Sequence, residues 1–337
     1  MSSVSMILPF YNAGNLVERT FQQLRKFDES HIQIILIDDS STDNTFELVE
    51  RFGLEQQNVT VIRSETNLGP GGARNLGLRA ATSDYVWFVD WDDQWNDDFT
   101  RILLKAAALH DADMVICRAR WRLSNGLDLS MADGIGRTTV ATGAEAFDNL
   151  LDGSIRGYLW NKLIRRSLLG IDPFPEIRTQ EDLCGIASVL PRCERVVFIP
   201  DVLYFHVVRE GSITNSRNPP LENLEYSRDI VLEIAQSLPH SSRRRKLATR
   251  FALDTMLSIV GTALRLSSSQ EGRRRMDEVR REISFRHALA TASVDPKLAA
   301  KALAVKVLGF AYPWMRSRYV QLRGLVRVSR TRSQGAS

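Results

Sequence analysis

Three carboxylates, Asp90, Asp92 and Asp93, fall within four positions at the end of the apolar run 85–89. Negative charges that close repel one another unless a cation neutralises them. An all-oxygen donor set suits a hard divalent ion, Mg²⁺ or Mn²⁺, held by one or two carboxylates and completed by substrate phosphates. A solvated Asp-rich turn, of the kind suggested at Asp97-Asp98, accounts for such a motif in isolation equally well. A second acidic pair, Glu181-Asp182, stands at the start of an expected helix, where carboxylates favour the dipole in any protein. Between these clusters lies Gly69-Pro-Gly-Gly-Ala-Arg74. It fails as a dinucleotide fingerprint, because Arg74 replaces the last glycine and the run follows the third expected strand rather than the first. Its glycines allow close backbone approach to a ligand, the helix start offers free N–H groups, and Arg74 adds a charge suited to pyrophosphate.

These residues need elements to hold them. Short apolar runs at 4–8, 32–38, 59–63, 85–89 and 114–118 read as buried strands, and amphipathic stretches at 15–26, 42–52, 71–81 and 97–110 read as helices. Strands spaced by helices predict an α/β, doubly wound, mainly parallel sheet whose strand carboxyl ends carry the ligand site. Asp38-Asp39 and Asp90–Asp93 both fall at such ends. Pro9 turns the chain away from the first strand, so that Tyr11 and Asn12 can offer a ring and an amide to a base. Asp43 fits a helix start. Further helices are expected at 144–151 and 181–190, with strands at 196–199 and 202–208. From 221 the pattern is helical: 222–237, 243–266, 272–290 and 297–327, with Asn218-Pro-Pro220 as the linker.

Four segments stand in order: 4–12 (VSMILPFYN), 35–45 (ILIDDSSTDNT), 67–77 (NLGPGGARNLG) and 85–93 (YVWFVDWDD). Together they resemble the inverting family 2 glycosyltransferases of the GT-A fold, closely over 3–120 and more loosely over 155–215. The resemblance implies that Pro9, Tyr11, Asn12 and Asp39, with Asp38 beside it, hold a nucleotide base. It assigns Arg74 to the nucleotide diphosphate, Asp90 to the ribose or the metal shell, and Asp92 to the metal, with Asn67 and Gly69 as further nucleotide-sugar-binding candidates. Trp91 departs from the small residue usual there, and either packs beneath the loop or shapes the sugar pocket. Family members carry an acidic pair at the position of Glu181-Asp182, which makes Asp182 the general base for an acceptor hydroxyl and Glu181 its helper. The segment 160–166, with Trp160 and Lys162, is expected on the acceptor side. In 204–214, similar to a loop that closes over donor phosphates, His206 would complete the metal shell, while Arg209 and Ser212 would touch the diphosphate.

The expected reaction is transfer of one sugar, by inversion, from a nucleotide-diphosphate sugar, with UDP favoured. No Gln-x-x-Arg-Trp motif of processive relatives occurs. The alternatives are a nucleotidyltransferase of similar fold, which would release pyrophosphate, and an inactive membrane-associated scaffold. A phosphatase would carry its Asp-x-Asp after the first strand.

Of the 337 residues, 44% are hydrophobic and 25% charged, as in a packed globular protein. The division expected is 1–218 as transferase domain, with 1–118 the nucleotide-binding half and 119–218 the acceptor half, followed by a basic helical region at 219–337. Positions 1–220 hold 22 basic and 30 acidic residues, and 221–337 hold 22 and 10, so the front is acidic and the tail basic. The tail's arginine runs fit solvated helix faces; alternatively, aromatics interleaved with cations over 305–330 fit an interfacial helix on anionic lipid, suited to a glycan or lipid-linked acceptor. Nucleic acid is a poorer match, and a homodimer through the tail is compatible with the pattern. Three scattered cysteines predict reduced thiols in a cytoplasmic protein, at the inner face of the plasma membrane if the tail binds lipid. No positive region precedes the first apolar run, and no 18 apolar residues run free of charge.

Overall fold

The computed structural model describes residues 2–27, 31–208, 220–265 and 270–309. They form two compact units, Met1–His240 and Ser241–Ser337.

The first unit is built on a ten-stranded mixed sheet: β1 (Val4–Phe10), β2 (Ile32–Asp38), β3 (Val59–Arg63), β4 (Tyr85–Phe88), β5 (Gln94–Trp95), β6 (Met114–Leu123), β7 (Asp128–Asp133), β8 (Thr139–Ala141), β9 (Lys162–Arg165) and β10 (Val196–Val208). The order along the sheet is β3-β2-β1-β4-β9-β6-β10-β5, with β7 on β6 and β8 on β10. Pairings β1–β2, β2–β3, β1–β4 and β6–β10 are parallel, as the βαβ pattern predicts. Strand β9 is antiparallel to both β4 and β6 and joins the two parallel blocks. Helices α1 (Val17–Leu24), α2 (Thr45–Leu54), α3 (Gly69–Ala80), α4 (Phe99–His110), α5 (Gly143–Asp152), α6 (Glu181–Val189) and α7 (Leu221–Ser237) complete the unit.

Burial explains the central strands. All four residues of β4, Tyr-Val-Trp-Phe, are buried, because a sheet covered by helices on both faces requires apolar side chains pointing both ways. Trp87 stacks on Phe99 of α4 at 3.8 Å between ring centroids, meets Trp95 edge-on, and donates its indole N–H to the Trp160 carbonyl at 2.7 Å. The loop after β4 therefore leaves a rigid platform. The two strands expected at 196–199 and 202–208 are one strand, β10, with irregular register against β6 between Phe198 and Tyr204.

The expected linker at 218–220 precedes α7, which packs on α6 within the first unit; Asn223 Nδ2 donates to Thr179 Oγ1 at 3.2 Å. The second unit contains α8 (Ser242–Arg265), α9 (Gln270–Glu282), α10 (Phe285–Ala292) and α11 (Pro296–Leu308). The single helix expected over 272–290 is two, because Ser284 caps a new start by accepting the N–H of His287. Four arginines of α9 meet acids on their own helix: Arg274 and Arg275 pair with Glu278, and Arg280 and Arg281 pair with Asp277. By length and composition α8 could cross a membrane over Ser242–Leu264, and 44% of its apolar window is buried within the fold. The segment 310–337, with most of the proposed interfacial helix, lies outside the described residues.

Candidate active site

The carboxyl ends of β1, β2 and β4 deliver three loops to one edge of the sheet. Asp39, just past β2, is buried and collects the N–H groups of Leu68 at 2.7 Å and Gly69 at 2.9 Å, with the Ser64 hydroxyl at 3.1 Å. Burial raises its pKa against these hydrogen bonds. Asn67 donates its side-chain amide to the Asp39 carbonyl. Asp39 thus shapes the start of α3, where Gly69 adopts a left-handed backbone (φ +72°) over open space. Asp38 is enclosed, near Arg63 at 3.4 Å, and its Oδ1 is buried without a partner among the described residues. Tyr11 is exposed and adjoins this edge through the β1 loop. The Asn12 amide, expected to face a base, is committed to protein: its Oδ1 accepts the Thr42 N–H at 2.9 Å, tying the β1 and β2 loops together. Pro9 lies within β1, paired with Ile37, rather than after the strand; its ring removes a ladder donor one residue before the end. Asp43 accepts the N–H of Thr45 at the start of α2, as the helix-start reading predicts.

The loop Asp90–Asp93 is anchored on both sides. Helix α1 holds it through Thr20, whose hydroxyl donates to the Trp91 carbonyl, and Gln23, whose amide donates to the Asp93 carbonyl at 3.1 Å. Trp91 stacks on Phe10 (6.2 Å) against the core, which decides between its two expected roles: it packs beneath the loop. Asp93 is fully buried and faces the end of β10. Its Oδ2 accepts the Tyr204 hydroxyl at 2.8 Å and lies 3.0 Å from His206 Nδ1, while Oδ1 accepts the Val207 N–H at 2.7 Å. Burial pushes its pKa up to about 7, against the opposing hydrogen bond and charge of His206. For His206, burial works against the charged form, but the hydrogen bond and charge of Asp93, with Asp90 and Asp92 behind it, win and raise its pKa.

Asp90, Asp93 and His206 bring ligand atoms within 4.8 Å of one another. Carboxylates and an imidazole fit Mn²⁺ or Mg²⁺. Asp93 is the most heavily engaged of the three, Asp90 Oδ1 also accepts from Arg74, and Asp92 is close enough for its charge to act on both Asp93 and His206.

The second acidic pair joins this cluster through Arg74. The buried guanidinium donates from Nη1 to Glu181 Oε1 at 2.6 Å and from Nη2 to Asp90 Oδ1 at 2.8 Å. Burial opposes its charge, yet Asp90, Glu181 and Asp182 outweigh that and hold its pKa above the ordinary value. Arg74 therefore bridges two carboxylates, while its Nε is buried with no partner among the described residues. Asp182, in the first turn of α6, accepts its neighbour Leu183's N–H at 2.7 Å and is partly exposed. Desolvation first, then the adjacent Glu181, push its pKa up to about 7, with Arg74 pulling the other way.

Glycine and asparagine make this approach possible. A Cβ on Gly71 would stand 2.7 Å from the Pro175 carbonyl and 3.3 Å from the Glu181 side chain, so the close approach expected of this glycine is to protein. Asn75 exchanges hydrogen bonds with the backbone of Phe174 at 2.8 and 3.2 Å.

Two expectations are corrected. Lys162, expected on the acceptor side, is completely buried and paired with Asp133 at 3.0 Å. Trp160 is also interior, stacked between Tyr158 and Tyr204 at 4.7 Å from each. Neither presents a surface to an acceptor: Lys162 lies in β9, within the sheet between β4 and β6, and Trp160 is buried against Tyr204. Arg209 and Ser212 lie outside the described residues. Tyr204, Asn75 and Asp133 escaped the sequence reading, and Asp93 was noticed only as the third carboxylate of the acidic loop.

The chain matches the family model described as Glycosyl transferase family 2 over residues 5–170. It is 30% identical over 191 residues to the putative teichuronic acid biosynthesis glycosyltransferase TuaG of Bacillus subtilis, covering 56% of this chain and 72% of that one. It is 28% identical over 243 residues to the glycosyltransferase GlyG of Streptococcus pneumoniae, covering 68% and 77%. Among solved structures it resembles Staphylococcus aureus TarS residues 1–349 in complex with UDP-GlcNAc, at a TM-score of 0.72 and 21% identity over 95% of this chain and 92% of that chain.

Proposed function

The chain belongs to glycosyl transferase family 2, and from that premise we propose that it moves one sugar from a UDP-sugar to an acceptor hydroxyl with inversion, assisted by Mg²⁺ or Mn²⁺. It is a glycosyltransferase with the GT-A arrangement of sheet and helices. The observation that carries the finer reading is the Arg74 bridge, which sets the acidic loop after β4 beside the acidic pair opening α6. One cluster fits a donor's diphosphate and cation; the other fits an acceptor proton.

In this reading Tyr11 and the buried Asp38 face the base, and Gly69 opens the start of α3 to the diphosphate. Asp90, Asp92 and His206 would hold the cation, which when bound stabilises the negative charge of the leaving diphosphate. Ionised Asp182 accepts the acceptor hydroxyl's proton as its oxygen forms the bond to the anomeric carbon. The anomeric carbon–oxygen bond breaks with its electron pair leaving on the nucleoside diphosphate, so one displacement inverts the centre. Arg74 holds Glu181 in place beside Asp182 through its Nη1 hydrogen bond, without itself giving up a proton.

The UDP-sugar preference is supported by the fold shared with TarS, solved with UDP-GlcNAc. An acceptor in cell-surface glycan or glycolipid synthesis is supported by the similarity to TuaG, named for teichuronic acid biosynthesis. A cytoplasmic site of action, with the basic tail on anionic lipid, is the location this acceptor class favours. The deciding experiment is a thermal-shift panel of nucleoside diphosphates with and without Mn²⁺, followed by product analysis with UDP-sugars. Ligand that binds only the native state raises the melting temperature. A UDP shift enhanced by Mn²⁺, with UDP as product, supports the reading; no shift with any nucleotide, or pyrophosphate as product, overturns it.

A further inference from the structure

The third carboxylate of the acidic loop has no assigned part in the reaction, yet it is the most heavily bonded side chain there. Three polar groups of β10 converge on Asp93 within 3.0 Å: the Tyr204 hydroxyl and the Val207 N–H donate to it, and His206 Nδ1 lies in hydrogen-bond contact. Tyr204 is shared, since its oxygen also accepts the Asp90 N–H at 3.4 Å. The His206 ring is fixed in three directions: Asp93 holds Nδ1, Trp160 lies roughly parallel at 5.8 Å, and Trp121 stands edge-on at 4.7 Å. Its side chain keeps 24% exposure, whereas Asp93 has none.

We propose that Asp93 is a positioning residue rather than a metal ligand: it engages His206 Nδ1 and so leaves Nε2 as the nitrogen that faces the donor's cation. A histidine ring nitrogen binds a metal through its free lone pair, and a carboxylate on the opposite nitrogen fixes which nitrogen that is. Three contacts from β10 occupy most of the Asp93 lone pairs, so the carboxylate is held against the strand and away from the role of principal ligand. The same bonds tie the acidic loop to the strand, so Asp90, Asp92 and His206 keep their mutual spacing before any ligand arrives. This inference rests on the cation site proposed above.

The test is Mn²⁺ binding by isothermal titration calorimetry on the full chain, with no sugar donor present, for the parent protein, Asp93→Asn and Tyr204→Phe. Losing a carboxylate that orients a ligating histidine weakens metal binding by about 10–100-fold, and that is the loss expected for Asp93→Asn. Tyr204→Phe removes a different bond to the same oxygen; it should lower the melting temperature but keep Mn²⁺ affinity. Equal affinity in Asp93→Asn, or an equal loss in both variants, overturns the proposal. The parent protein supplies a reading independent of whether Asp93→Asn folds. At pH 9, ¹⁵N-histidine spectra should show His206 protonated at Nδ1, and protonation at Nε2 overturns the inference. A parent protein that binds UDP but takes up no Mn²⁺ overturns the cation site and this inference together. Mn²⁺ uptake with unchanged affinity in Asp93→Asn overturns the inference alone.

Discussion

Arg74 Nη1 lies 2.6 Å from Glu181 Oε1, across 107 positions of chain, and both side chains are buried. The pair joins α3 to the first turn of α6, and the other arm of the guanidinium reaches Asp90. Removing one partner of a buried ion pair strands the other charge in a poorly solvated place. Arg74→Met should therefore cost about 3–5 kcal/mol in urea unfolding, because two carboxylates lose their cation at once. A cost below about 1 kcal/mol, the range of exposed pairs, would show the bridge to be incidental.

The raised pKa of Asp182 gives a pH signature. A base must be ionised to accept a proton, so kcat/KM should climb from pH 5.5 to 8.5 with a midpoint near the value of about 7. Stability should run the opposite way. The folded pKa lies above the ordinary 3.8, so folding favours the protonated form, and stability falls as pH rises from about 4 to about 7. Asp182→Asn should flatten that part of the stability profile, retain UDP binding, and lower kcat by about 10²–10⁴. Turnover that survives in Asp182→Asn would remove Asp182 as the base.

Lys162 tests whether a buried charge serves the fold alone. Asp133 accepts from Lys162, Asn161 and the N–H groups of Gly134 and Arg156, so it is the hub of a closed network. Lys162→Met should destabilise by about 3–5 kcal/mol while the folded enzyme keeps its KM for acceptor. A raised acceptor KM at temperatures well below the melt would return Lys162 to the acceptor side.

Gly71 limits how closely α3 can approach α6. The Cβ of Gly71→Ala would press on the Pro175 carbonyl at 2.7 Å and on the Glu181 side chain. We expect a loss of about 1–3 kcal/mol from overpacking, together with a lower kcat, because Glu181 and Asp182 move as one turn. A crystal structure of Gly71→Ala with the Arg74–Glu181 distance unchanged would refute the coupling.

Much of this was legible along the chain. The runs that became β1, β2, β4 and β6 announced themselves because strands buried on both faces admit little else, whereas β3, also expected to be buried, is an edge strand of intermediate and exposed residues; the four motifs in order carried the family. Strands β7, β8 and β9 were missed for the converse reason: they are short or half-buried, and β9 opens on a lysine that local reasoning assigns to the surface. The same logic placed Lys162 outside, since its partner Asp133 is 29 positions away and no local pattern joins them. Asn12 and Arg74 were credited to a ligand because their types suit one; the contacts of Asn12 Oδ1 with Thr42 and of Arg74 with Glu181 and Asp90 join distant segments and had no local signal.

Residue types and their spacing thus determined the architecture and the chemical vocabulary: acids after β2 and β4, an acidic pair opening α6, glycines before α3. Periodicity and strand-end position are local properties that survive in one dimension. Tertiary structure decided the assignments, namely which carboxylate faces outward, which is walled in by β10, and which cation is consumed in bridging. Those depend on distances between groups far apart in the chain, and such distances exist only once the sheet has closed.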